Sequence, residues 1–546
     1  MVSIVKKTIY HEAEKIWSGI KTKPEYGEKD SIGKVIFESL QRDPEGIGQI
    51  SHTTGKELTN KEILLLSIRV AQHLEDLNIK QGEIVGICAA NTDYLACLVF
   101  GCLFRGLVIS TLDTSFDKGT NADGIKHIYS ITKPKLMFCD GVIYNKIKDA
   151  FEECNLQSTV IYTINDYLEE VPKLSDFLKE TQRENDFKCV ELADGFNQLA
   201  AILCSSGTTG LPKGVCITHC GILNQIYGLT PTKGRFLCFS TLYWISGVIG
   251  LLIATARNIT RIICAQPYTP ECFIDIVKKY KVTISLGPPS QMGLLLSTSK
   301  LQQNDLDSLE FIYIGGSAVP ISLVDKLRTF TKKAIIYVVY GQTENCANVS
   351  GGIACENFNC GQLVPNVEIK IINENSHNLG PGEVGEICTR SSWHWPGYYG
   401  NPEATADTYD SEKWIHSGDL GYFNDKGELF IVDRIKDILK YNNFHFYPTE
   451  IETVILELND IVEVCVFGVA DLIYTHLPAA AIVKSKGSNI TGIQIYQHVY
   501  QRMVDFKNLR GGVYFLNELP KTATGKVLRS KVAELCKNIK NELLNN

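Results

Sequence analysis

The sequence has no excess of positive charge, no paired cysteines and no long apolar run. Its formal net charge is −7 over 546 residues, which argues against a general nucleic-acid binder. Eighteen cysteines are scattered without a CxxC pair or Cys/His ligand spacing. Cys88, Cys97, Cys204 and Cys465 sit in apolar runs. They read as small core hydrophobes in a reducing compartment, in place of a disulfide framework or a metal site. The longest apolar stretch, near Ile245 to Ala254, is about half of what a membrane helix needs. The N-terminal residues lack the apolar core of a secretory signal, and the final Leu543-Leu544-Asn545-Asn546 lacks a Ser-Lys-Leu-type address. A cytoplasmic protein without a transmembrane segment is expected. Internal repeats and low-complexity tracts are missing too. A chain of this length exceeds one core, so two or more domains are expected.

What is present centres on SSGTTGLPKG, Ser205 to Gly214. It follows the apolar run Leu199 to Cys204 and precedes Val215 to Thr218, both read as strands. Glycines let backbone N–H groups converge, the hydroxyls of Ser205, Ser206, Thr208 and Thr209 add donors, and Lys213 adds charge. The stretch fits a polyphosphate cradle or an ordinary polar turn. It is not the GxxxxGK[ST] loop that opens a helix.

Around it the texture is α/β. Thr59 to Glu62 reads as a capping box, with Ile63, Leu66, Val70, Leu74 and Leu77 at helical spacing behind it. Ile84 to Cys88 reads as a strand, Asp93 to Phe104 as a helix and Leu107 to Ile109 as a strand. Strand–helix alternation continues through Pro270 to Tyr280, Val282 to Leu286, a helix from Ser290, and strands at Phe311 to Ile314 and Ile335 to Val339. This predicts right-handed βαβ units and mostly parallel sheets. The last two strands run into Gly315-Gly316-Ser317-Ala318 and Tyr340-Gly341-Gln342-Thr343-Glu344, where α/β sheets hold ligands. From Gly361 short alternating strands predict a small β-rich layer. The charged Val432 to Asp437 reads as a hinge, and the residues beyond it suffice for a small α+β domain. The first forty residues carry no readable pattern.

SSGTTGLPKG, YGQTE (Tyr340 to Glu344), SGDLGYF (Ser417 to Phe423), VDRIKDILK (Val432 to Lys440) and PKTATGKVLR (Pro520 to Arg529) together resemble the adenylate-forming superfamily. Within it, the acyl-CoA synthetases, coumarate–CoA ligases and insect luciferase-like enzymes are nearest in look. The resemblance spans nearly the whole chain. It implies a large N-terminal domain, residues 1–435, binding nucleotide and acid, and a small mobile α+β C-terminal domain, residues 436–546, rotating about Lys436. It also implies ATP, Mg²⁺ and coenzyme A as cofactors, with a small carboxylic acid as substrate.

The implied reaction is carboxylate attack on the α-phosphate of ATP, then thioester formation on coenzyme A. Bringing two anions together calls for positive charge and preorganised donors. Ser205, Ser206, Gly207, Thr208, Thr209, Gly210 and Lys213 would hold the β- and γ-phosphates, Thr343 would contact the α-phosphate, and Glu344 would hold Mg²⁺. Asp419, with Arg434 nearby, would take the ribose. Gly315, Gly316, Ser317, Ala318 and Tyr340, with Gly341 and Gln342 behind it, would flank the nucleotide. Lys526 would reach the acyl carboxylate and α-phosphate during adenylation. Trp244, Gly247, Val248, Gly316 and Gln342 would line the acyl pocket, with Ile249 and Leu251 also apolar there. Lys440, Asn442, Asn443 and His445 would form the thioester face.

Three departures from the family pattern stand out. Trp244 occupies the place of a common His and reads as pocket-shaping or as packed core. Asn442 replaces a Lys linked to light emission in the beetle luciferases. Asn443 replaces a Gly in a turn that Asn tolerates. The leading expectation is a medium- or long-chain fatty acid–CoA ligase. The alternatives are an aryl or cinnamate-type acid ligase, a luciferase-like monooxygenase, and a non-catalytic nucleotide-binding homologue.

Overall fold

The computed structural model describes residues 7–23, 25–114, 122–205, 212–226, 233–441, 444–471, 473–521 and 527–543. Two α/β sheets share a helical layer. The first has six strands in the order Lys213–Thr218, Leu199–Ser205, Val108–Leu112, Ile84–Cys88, Leu136–Cys139, Val160–Thr163. All its pairings are parallel except the first. The second runs, among the described residues, over nine strands and is parallel from Ile335–Gln342 across to Ile47–Ser51. Antiparallel strands close both of its edges.

Helices Ile32–Arg42, Leu95–Phe104 and Ile245–Ala256 lie in the layer between these sheets. Leu95–Phe104 is buried at every position, as a helix apolar all round must be. Its Gly101 lets the neighbouring helix in, since a Cβ there would sit 2.5 Å from Val70 Cγ1. Outer helices cover the far faces: Tyr144–Glu153 on the first sheet, and Pro270–Tyr280, Pro289–Ser297 and Ile321–Phe330 on the second. The helix Asn60–Asp76 begins with the expected capping box, both of whose bonds form.

The β-rich layer is a six-stranded antiparallel sheet, Ile9–His11, Ile16–Ser18, Val367–Ile372, Gly385–Ser391, Ile415–Phe423, Leu429–Arg434. Its first two strands come from the stretch without a readable pattern. They are recruited by long-range pairing with Val367–Ile372 and by Trp17 stacking on Phe423, ring centres 4.5 Å apart. The stretch expected as a hinge is partly strand. Val432 to Arg434 continue the ladder because Arg434 pairs with Asp419, and only Ile435–Asp437 leave it, as a 3₁₀ turn. Leu439–Tyr441 then joins a separate small sheet with Phe444–Phe446, Thr475–Lys484, Ile461–Asp471 and Gly512–Phe515. Helices Pro448–Ile455, Gly492–Tyr500 and Arg529–Cys536 pack on that sheet. The whole is a large N-terminal α/β domain with a β-rich layer and a small α+β C-terminal domain. Among the described residues no helix is long and apolar enough to cross a membrane.

Candidate active site

A cleft of about 2000 Å³ opens at the carboxyl ends of the parallel strands and is closed on one side by the C-terminal domain. Three corners of it are polar. At the first, the strand Ile335–Gln342 ends in Tyr340 and Gly341. A Cβ on Gly341 would lie 1.8 Å from Ala347 O, so only glycine fits this reversal. The chain turns through a 3₁₀ segment, Thr343–Asn345, and through Cys346 and Ala347 at φ +60° and +126°. Such non-glycine outliers mark positions held by their surroundings. Thr343 and Glu344 are presented on this turn and line the cleft.

Glu344 is buried, and its Oε1 accepts from the Tyr398 hydroxyl at 2.8 Å. Lys213 Nζ lies 4.8 Å from the centre of the Tyr398 ring, within cation–π range. Burial, and next the Glu344 carboxylate, push the Tyr398 phenol well above its ordinary range, so it stays a donor. The contact is built by the backbone. Tyr399 N donates to Gly214 O at 2.7 Å and Cys216 N to Gly397 O at 3.1 Å, clamping the segment beside the glycine-loop hairpin. Lys213 and Ser205 face each other across that hairpin.

The second corner joins two sheets. Tyr340 OH donates to Asp419 Oδ2 at 2.9 Å, and Arg434 Nε lies 3.1 Å from Asp419 Oδ1. Burial and the Asp419 carboxylate keep the Tyr340 hydroxyl protonated well above the usual tyrosine range. Asp419 N is held by Ser417 Oγ at 3.0 Å, and the preceding Gly418 N by Glu386 Oε1 at 3.1 Å. Lys436 lines the same cleft. Burial first, then the charges of Arg434 and Lys213, hold its ammonium below the usual lysine value. Lys213, Arg434 and Lys436 thus bring positive charge to a cleft that also carries carboxylates.

The third corner is the C-terminal domain. Lys521 and Val527 pair across an antiparallel bridge, and both line the cleft. Lys521 is ion-paired to Glu463. Asp433 Oδ2 accepts from Thr449 N at 3.1 Å and Thr449 Oγ1 at 2.8 Å, tying the strand before the turn to the helix after it.

The remaining wall is apolar. Phe236, Trp244, Ile245, Ile249, Ile253 and Tyr313 line it. Trp244 precedes the helix Ile245–Ala256 and packs edge-on against Tyr243 at 4.5 Å.

Of the residues singled out in the sequence, Ser205, Lys213, Trp244, Gly315, Gly316, Ser317, Ala318, Tyr340, Gly341, Gln342, Thr343, Glu344, Asp419, Arg434 and Lys436 all line this one cleft. Gly316 adopts φ +92°, which explains the glycine there. Gly247 and Val248 are a correction. Val248 is 1% exposed in the interior cluster, and a Cβ at Gly247 would meet Thr241 O at 2.1 Å. The helix turns Ile245, Ile249 and Ile253 to the cleft instead, at i, i+4 spacing. Leu251 is likewise core. Lys440 is exposed, paired in register with His445 and away from the cleft lining. Ser206, Gly207, Thr208, Thr209, Gly210, Asn442, Asn443 and Lys526 lie outside the described residues, as does the side chain of His445. Sequence reasoning missed Tyr398. Its signal was an aromatic pair between glycines, Gly397-Tyr398-Tyr399-Gly400.

The AMP-binding enzyme profile matches residues 37–399, and the AMP-binding enzyme C-terminal domain profile matches residues 450–526. A 4-coumarate–CoA ligase of Vanilla planifolia is 32% identical over 90% of this chain and 91% of its own. Among solved structures, an anthranilate–CoA ligase in complex with anthranoyl-AMP superposes with a TM-score of 0.84. It is 21% identical and covers 94% of this chain and 98% of its own. A luciferase-like enzyme from the nonluminescent mealworm Zophobas morio gives a TM-score of 0.70 at 24% identity, over 77% of this chain and 99% of its own.

Proposed function

This chain belongs to the AMP-binding enzyme family, and on that premise we propose that it joins an aryl acid of the cinnamate type to coenzyme A. As an AMP-forming acid–thiol ligase it couples two steps. A carboxylate attacks the α-phosphate of ATP, forming an acyl-adenylate and releasing pyrophosphate. The coenzyme A thiolate then attacks the adenylate carbonyl, forming the thioester and releasing AMP.

The observation that carries the proposal is the division of the cleft. Its lining combines a polar set, Lys213, Thr343, Glu344, Asp419, Arg434 and Lys436, with an apolar set of Trp, Phe, Tyr and Ile side chains. A polyanion beside a flat apolar acid suits that division. An aryl acid replaces the fatty acid of the sequence reading because the Vanilla relative is a 4-coumarate–CoA ligase and the wall is rich in rings.

The proposed roles follow the geometry. Lys213 and the glycine loop hold the β- and γ-phosphates, Thr343 the α-phosphate, and the Asp419 carboxylate the ribose hydroxyls. Glu344 suits Mg²⁺. It is a hard oxygen ligand at the cleft, with one oxygen fixed by Tyr398 and no hydrogen bond to Oε2 among the described residues. Magnesium bound there neutralises phosphate charge. Lys526 is assigned to the acyl carboxylate and α-phosphate; it lies outside the described residues, and Lys521 and Val527 on either side of it in sequence line the cleft. The domain boundary is placed at 435/436, where the chain leaves one sheet for the next, with Lys436 as the hinge. Lys440, Asn442, Asn443 and His445 are assigned to the thioester face.

The test is acid-dependent exchange of labelled pyrophosphate into ATP, over cinnamate-type acids, benzoates, fatty acids of rising length and acetate, followed by addition of coenzyme A. Exchange with the cinnamates and thioester on adding coenzyme A is expected. Exchange with fatty acids alone overturns the acid, and no exchange with any acid overturns the ligase reading. Lys526→Ala is expected to lower exchange by about 100-fold or more while sparing thioester formation from supplied acyl-adenylate. Equal loss in both half-reactions rules out the role given to Lys526.

A further inference from the structure

We propose that Glu386, Cys388 and His416 form a binding site for a divalent transition cation of the zinc class, separate from the Glu344 corner. The three come from neighbouring antiparallel strands, with Cys388 directly opposite His416 in register. Glu386 and Cys388, two residues apart, share one face of their strand. His416 Nδ1 lies 3.5 Å from Cys388 Sγ and 3.2 Å from Glu386 Oε2. All three donor atoms fall within 4.8 Å of one another.

These distances decide the metal. Tetrahedral zinc, with bonds of about 2.0 Å to nitrogen and oxygen and about 2.3 Å to sulfur, separates N from O by roughly 3.3 Å and S from N by roughly 3.6 Å. The free side chains already stand at that spacing. A thiolate, an imidazole and one carboxylate select zinc or cobalt over magnesium, which takes oxygen ligands only.

The surroundings orient the donors. Nδ1 donates to Glu386 Oε2 in the metal-free arrangement; a cation would displace that proton, and Asp410 Oδ2, 3.5 Å from His416 Nε2, would then hold the remaining ring proton on Nε2. That is the carboxylate–histidine support typical of zinc centres. Glu386 Oε1 is occupied by Gly418 N, leaving Oε2 as the ligand. Cys388 is fully buried, while Glu386 and His416 line the large cleft. The fourth coordination position therefore faces solvent in the cleft, as in sites that keep an open position. Lys370 Nζ, 3.8 Å from Asp410 Oδ2 and from Glu412 Oε2, faces this cluster from the next strand, where Lys370 is paired in register with Cys388, so its charge acts on the thiol as well as on Asp410. The competing arrangement is a protonated His416 bridging Glu386 and Asp410 with no metal at all.

Cobalt(II) titration of the chelator-stripped full-length protein, in excess Mg²⁺, separates the two. One equivalent is expected to bind, with a sulfur-to-cobalt charge-transfer band in the near ultraviolet and intense tetrahedral bands in the visible, both removed by zinc. Cys388→Ser abolishes the charge-transfer band, His416→Gln weakens binding, and Asp410→Asn weakens it by about 10- to 100-fold while keeping the band. Thermal melting with and without ATP checks that each variant folds. If Cys388→Ser fails that check, the His416 and Asp410 variants carry the test. No charge-transfer band in the parent protein, a band indifferent to these substitutions and so owed to another of the eighteen cysteines, or binding unchanged in His416→Gln overturns the site.

Discussion

The two sides of the cleft are made differently. The side proposed for the nucleotide is a set of polar pairs among the protein's own residues: Tyr340 to Asp419, Asp419 to Arg434, Tyr398 to Glu344. The acid side is a helix face and ring edges held by packing. A side built from directional bonds tolerates almost no replacement. One built from apolar contact can be reshaped by a methyl group and still fold.

The strongest break in that comparison is Asp419→Ala. It leaves the buried Tyr340 hydroxyl without this acceptor, a cost of about 1–3 kcal/mol, while Arg434, whose side chain is 39% exposed, turns to water. Pyrophosphate exchange is expected to fall by about 100-fold or more with every acid alike. A loss that varies with the acid contradicts the division. Ile249→Phe tests the other side. Ile249 is buried yet lines the cleft, so the larger ring takes up cleft space, and the ratio of kcat/KM between small and large acids is expected to shift by about 10- to 100-fold. The KM for ATP should hold, and a matching rise in it would show that the two sides are not independent.

Tyr398→Phe is the intermediate case. It deletes the bond to Glu344 but keeps the ring under Lys213, and costs about 1.5 kcal/mol. A roughly tenfold higher Mg²⁺ requirement at unchanged acid selectivity is expected in exchange assays at varied Mg²⁺. The smallest effect concerns the frame that both sides share. His219, fully buried, accepts from Ile32 N at Nδ1 over 3.2 Å. Burial pulls its pKa from 6.5 down to about 3. Between those values the unfolded chain binds a proton that the folded one does not, so stability falls as pH falls through that window. The slope is about 1.4 kcal/mol per pH unit. His219→Gln should flatten that slope in urea midpoints measured from pH 7 to pH 4.5. Parallel slopes for parent and variant would mean that another group sets the acid sensitivity.

The same contrast explains what could be read in advance. The strand–helix alternation and the capping box at Thr59 were legible because each is local. So were Thr343, Glu344, Asp419 and Arg434, because each stands in a short contiguous motif that resembles the adenylate-forming pattern. The face of the helix Ile245–Ala256 was not legible. In ISGVIGLLIATA nearly every position is apolar, so no polar stripe marks which side meets the cleft, and Val248 and Leu251 were read as pocket residues alongside Ile249. The N-terminal hairpin was hidden for a second reason: its partner strand lies some 350 residues later, and pairing at that distance leaves no local periodicity. The Glu386, Cys388 and His416 cluster was hidden in the same way. Its His416 lies 28 residues from Cys388 and meets Glu386 and Cys388 only when two strands align.

The corner at Asp419 has one more consequence. It is assembled in the resting molecule, so a nucleotide that docks there has little ordering to impose. AMP carries the same ribose as ATP, and a seat shaped in advance for the incoming nucleotide is shaped equally well for the departing one. On the proposed assignment, the rate at which the molecule becomes ready again depends on how that seat is vacated, and a swing of the C-terminal domain about Lys436 would open it.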